Sequence, residues 1–145
     1  MKTFQDLLNG PLQGIMSWQQ WDAVCDHVRN SGDAWYVYAV GHGLPEAPLV
    51  DAALNVALTE INDLLRRDHE EDYLGIAYAD DLSSPALIKI YDPNNLGASC
   101  GSSGRAIPPG WVLSRQPPQP IASDIPIPNN RRRWWLSLMT RLAGP

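Results

Sequence analysis

The sequence predicts an α+β fold: a two-layer sandwich in which a three- or four-stranded, mainly antiparallel sheet carries two helices on one face, extended by a Pro-rich strap and a C-terminal helix. Three observations carry this expectation. Two segments, near residues 17–30 and 49–67, repeat apolar residues at steps of three and four, the period of a helix with one buried face. Two apolar runs, 73–78 and 86–91, flank a polar stretch with Asp80, Asp81, Ser83, Ser84 and Pro85, which is a hairpin signal. Seven of the thirteen prolines lie between Pro108 and Pro128, where they exclude a helix interior and a central strand.

The first element is a short helix at TFQDLL, because Gly10, Pro11 and Gly14 interrupt any continuation. The next helix opens with Ser17 and Gln20 at capping-box spacing and closes before Gly32. Its apolar positions Trp18, Trp21, Val24, Cys25 and Val28 place Cys25 on the buried stripe and His27 on the polar edge. AWYVYAV, 34–40, is rich in aromatic and β-branched residues between glycine-containing turns, and reads as a strand. The longest helix follows, with Val50, Leu54, Ala57, Leu58, Ile61, Leu64 and Leu65 on one side, and Arg66 and Arg67 in the last turn at the negative end of the helix dipole. After the hairpin, GWVLSR, 110–115, supplies a further short strand. Residues 116–128 form the extended strap, and Asn129 or Asn130 caps a last helix, RRRWWLSLMTRL. The expected organisation is a compact body over 1–115, the strap over 116–128 and a basic, tryptophan-containing helix over 129–145.

At 145 residues, with 44% apolar and 19% charged residues, the chain has the size and composition of one folded domain rather than a disordered one. Its first ten residues lack a cationic start followed by an apolar run, and no stretch approaches the ~18 apolar residues of a membrane span. A cytoplasmic location is therefore expected. Cys25 and Cys100 are too few for a disulfide scaffold and have no zinc-ligand spacing. Reduced thiols are expected, with no metal and no cofactor indicated.

The net charge of −5 is unevenly divided. Through Gly104 there are five Lys/Arg against fifteen Asp/Glu, a balance of −10; from Arg105 onward six Arg face the single Asp124, a balance of +5. An acidic body thus carries a basic tail, which either folds back on that body or meets another molecule. In the last helix Arg131, Arg132 and Arg133 crowd the first turn beside Trp134 and Trp135. Cations are locally unfavourable at the positive end of a helix dipole, so negative charge from elsewhere should compensate. The overall acidity and the shortness of the basic stretch argue against nucleic acid. A protein with an acidic patch is the external partner favoured, Trp and Arg being prominent at protein interfaces.

A second candidate surface is a tyrosine-bearing sheet face. Tyr36 and Tyr38 point opposite to Trp35 and Val37, with Tyr73, Tyr78 and Tyr91 on neighbouring strands. Such a face is covered by the strap and last helix, or it is presented to a partner, a second copy of the chain included.

Two further chemistries define alternatives. CGSSGRAIPPGW, from Cys100 to Trp111, puts a thiol on a glycine-rich loop near Arg105, and His42 lies between two glycines after a strand. A thiol-dependent enzyme would use Cys100 as nucleophile and His42 as base. The loop 97–104 could instead bind a small ligand or nucleotide through its backbone N–H groups, although neither the Walker nor the dinucleotide glycine spacing is present. RDHEED, 67–72, has oxygen ligands in plenty, but consecutive carboxylates at a helix end do not readily face one ion. The expected function is therefore a non-enzymatic, protein-binding adaptor or accessory factor that uses the basic aromatic tail and the tyrosine face.

Overall fold

A computed structural model describes residues 2–95, 107–123 and 125–143. Its elements in chain order are α1 (Phe4–Asn9), β1 (Gln13–Ile15), α2 (Trp18–Asn30), β2 (Tyr36–Ala39), α3 (Asp51–Asp68), β3 (Ala77–Ala79), β4 (Leu87–Ile90), β5 (Trp111–Ser114) and α4 (Asn129–Leu142). Five strands form one sheet in the order β1-β3-β4-β5-β2, every neighbouring pair antiparallel. The fold is the expected α+β sandwich with one more strand. The additional strand is β1, three residues around Gly14, too short to show a period of its own.

Local chemistry sets the boundaries of the early helices. Thr3 and Asp6 form a reciprocal capping box on α1, and Ser17 and Gln20 form one on α2, so donors that the first turn leaves unbonded are satisfied by side chains. In the turn before β4, one Asp80 carboxylate oxygen accepts from the N–H groups of Ala86 and Leu87. The hairpin thereby closes around a side chain as well as around its backbone.

The main core lies between the sheet and α2, α3 and α4. Val37, Ala39, Ala77, Ala79, Ile88, Ile90, Trp111 and Leu113 project from the strands toward Trp21, Val24, Leu58, Ile61 and Leu65. Trp135 and Leu138 of α4 belong to the same cluster. The last helix is thus on the face that carries the other two long helices, and does not cover the tyrosines. Arg141 Nη2 donates to Glu60 Oε1 at 2.9 Å across the α3/α4 contact.

The opposite face is partly covered. There Tyr38, Val40, Leu87 and Val112 pack beneath Phe4 and Leu7 of α1, with Leu12 and Ile121 at the margin. Two contacts of the strap with the body stand out among the described residues. The backbone N–H of Ile121 donates to the Tyr38 hydroxyl at 3.1 Å, and Ile127 sits so close to Gly41 that a β-carbon there would lie 2.7 Å from its Cδ1. Gly41 also has φ +94°, a backbone conformation that non-glycine residues rarely adopt.

Candidate functional site

The three successive arginines of α4 have different surroundings. Arg131 is 4% exposed. Its Nε and Nη2 donate to the two Asp92 carboxylate oxygens at 2.8 and 2.9 Å, and Nη2 is 2.8 Å from Asp68 Oδ2. Burial opposes the charge on Arg131, but the hydrogen bonds and charges of Asp92 and then Asp68 outweigh it and hold the guanidinium pKa above its ordinary value. Asp68 is itself held below the usual carboxylate value, first by its hydrogen bond from Arg67 and then, against some desolvation, by Arg131. The acidic body therefore compensates the first arginine from within. Asp92 escaped the sequence reading because a single carboxylate after a strand has no pattern. Its one signal was position, directly beyond the apolar run 86–91 and ahead of Pro93.

Arg132 and Arg133 are exposed and form no ion pair among the described residues. Leu136, one turn beyond Arg132, is 55% exposed. The two indoles also differ. Trp135 is buried, whereas Trp134 is half-buried with its ring edge-on to Trp111, centroids 5.8 Å apart. One turn of α4 thus presents an inward Arg131 and Trp135 and an outward Arg132, Arg133 and Leu136.

His42 follows β2 and lies beside α4, 6.1 Å from the Trp135 ring. Burial, and then the charge of Arg132, lower its pKa below the ordinary histidine value. A neutral imidazole at pH 7 is compatible with a base, but its proposed thiol partner Cys100, with the loop 97–104, lies outside the described residues. Cys25 is buried between α2 and the sheet, and desolvation pushes its thiol up to about 12. It is a core residue with no thiolate character at neutral pH.

In the 67–72 segment, Asp68 is engaged with Arg67 and Arg131. His69 is buried, its Nε2 2.8 Å from the Leu74 carbonyl oxygen. Among the described residues no three His, Cys, Asp or Glu side chains gather as a metal site, and no helix is long and apolar enough to cross a membrane.

Tyr36 and Tyr38 also diverge. Tyr38 is buried beneath α1 and accepts the hydrogen bond from the strap, while Tyr36 is only half-buried, on the edge strand. The part of the tyrosine face away from α1 is made by the half-buried Tyr78, Lys89 and Tyr91. Lys89 Nζ sits 5.4 and 5.2 Å from the Tyr78 and Tyr91 ring centroids, and those rings meet edge to face at 6.0 Å. The exposed side chains of Tyr73 and Met16 extend this patch.

Comparison with protein-family models, with curated proteins and with solved structures gives no match.

Proposed function

We propose that this protein is a non-enzymatic, protein-binding adaptor or accessory factor, and that the outward side of α4 contacts a partner bearing an acidic patch. The observation that supports this reading is the pair Arg132 and Arg133, exposed beside Leu136 and without a carboxylate among the described residues. Two guanidiniums flanking an exposed leucine combine charge steering with apolar contact, the elements of a protein interface. The tyrosine patch around Lys89 offers a second surface of similar chemistry, a cation held over two aromatic rings.

The experiment is capture from native extract by the full chain and by a variant carrying Arg133→Glu with Leu136→Ser. Both positions are exposed, so the variant should fold with an unchanged circular dichroism melt. The wild-type chain should retain an acidic protein that the variant loses. Recovery of the same proteins by both chains would remove α4 from the interface.

A further inference from the structure

We propose that the part of the tyrosine face away from α1 is a self-association surface, and that its occupant is a second copy of this chain related by a two-fold axis. The proposal rests on the reading of this protein as a protein-binding module and gives the tyrosine surface a partner of its own.

The surface begins as one row of the sheet. The register sets Gly14, Tyr78, Lys89, Val112 and Tyr38 side by side on neighbouring strands, so these positions share one face. Val112 and Tyr38 lie beneath Phe4 and Leu7 of α1. Tyr78 and Lys89, further along the row, are half-buried. Tyr91, two residues beyond Lys89 on the same face, meets the Tyr78 ring edge to face.

Two glycines extend the row to the end of β1. A β-carbon on Gly14 would lie 3.1 Å from Met16 Sδ and 3.7 Å from the Tyr78 ring, and one on Gly75 would lie 3.1 Å from the Tyr73 ring and 3.8 Å from Met16 Cε. Met16 thus bridges the two tyrosines over positions that have no side chain to part them. The backbone beside Tyr73 is fixed to β1, since the Leu74 and Gly75 N–H groups donate to the Met16 and Ile15 carbonyls at 2.7 and 3.1 Å. Met16 is 53% exposed and Tyr73 57%. The line from Tyr73 through Met16 and Tyr78 to Tyr91 offers methionine and tyrosine, both enriched in interface cores, as one contiguous exposed patch.

Charge selects the occupant. Glu70, Glu71 and Asp72 precede Tyr73 and are exposed, and the Trp18 indole N–H holds this segment by donating to the Glu71 carbonyl at 2.9 Å. At the other end of the line the Lys89 ammonium sits over Tyr78 and Tyr91. The surface is therefore negative at the Tyr73 end, apolar at Met16 and positive at Lys89. A uniformly acidic partner is repelled at one end and a uniformly basic partner at the other. A second copy related by a two-fold axis through Met16 matches both, because each Lys89 then faces the other chain's carboxylates.

The test is sedimentation of the purified full chain at about 0.15 M salt, which screens the repulsion between two acidic bodies. The wild-type chain should pass from one copy to two between about 1 μM and 1 mM; a single copy throughout would overturn the proposal. Tyr73→Ser, at an exposed position, should weaken the dimer about tenfold or more. Lys89→Glu and Asp72→Lys should each weaken it about tenfold, and an equimolar mixture of the two should regain wild-type affinity, because both contacts across the axis are then of opposite sign again. Loss of fold cannot produce that recovery. Should Lys89→Glu fail to fold by circular dichroism, Tyr73→Ser combined with Asp72→Lys, both at exposed positions, must leave single copies up to about 1 mM. Dimers unaffected by Tyr73→Ser, or a mixture of folded variants that associates no more tightly than its components, would overturn the surface. A wild-type chain that stays single, alongside loss of partner capture in the Arg133/Leu136 variant, would refute the dimer alone. Dimers lost with Tyr73→Ser, with capture unaltered in the Arg133/Leu136 variant, would refute the α4 surface alone.

Discussion

The inward and outward sides of the first turn of α4 carry the same residue type at successive positions, yet one side is part of the core and the other is exposed. Each helical residue advances the side chain by about 100°, so a run of three arginines cannot act as one charged unit. Arg131 is turned toward Asp92 and Asp68, while Arg132 and Arg133 face outward. A charge run in a helix is therefore read by its phase against the apolar stripe, here Trp135 and Leu138, before it is read by its total.

The contrast can be broken most severely from the inward side. Asp92→Ala removes both short hydrogen bonds to a buried guanidinium, and should cost about 3 kcal/mol in urea unfolding, the low end for a broken buried pair because Asp68 still reaches Arg131. Next in size is Gly41→Ala, which opposes a positive φ and pushes on Ile127, just ahead of α4; a loss of about 1–3 kcal/mol is expected in the same measurement. Combining it with Ile127→Ala should recover the contact part and leave the backbone part.

Acid titration sharpens the inward side further. Asp68 has a lowered folded-state pKa, so it binds fewer protons when folded; its contribution is present above the ordinary value of 3.8 and is lost as pH falls through the lower folded value. Asp68→Asn should flatten the pH dependence of the unfolding midpoint in that window and leave it unchanged near neutrality in slope. The smallest effect belongs to the outward side. Arg132→Ala and Arg133→Ala should each change stability by no more than about 0.5 kcal/mol, and a larger loss in either would show that the outward side is structural as well.

Legibility in the sequence followed the length and regularity of each pattern. The helix spacing of Trp21, Val24, Cys25 and Val28, and of Leu54 through Leu65, needs only one buried face to be visible, and the observed helices agree with it to within a residue or two at each end. β1 was not legible, because Gln13–Ile15 is too short for alternation and is held by its partner strand β3. Long-range pairing was equally hidden: nothing in Asp92 announces Arg131, 39 residues away. The tyrosine face was legible as a face, but its cover was not, since α1 and not α4 lies over Tyr38. At the candidate surfaces the residue types were visible in advance. The place of β2 at the edge of the sheet was not, because strand order is not encoded in side-chain patterns.

The buried sulfur of Cys25 has one more consequence. With its pKa near 12, it stays protonated across the range in which the fold operates, so reagent strength cannot govern its alkylation in the closed protein. Modification must wait for α2 to lift from the sheet, and the rate at which this one sulfur is labelled is a clock for how often that half of the interior opens.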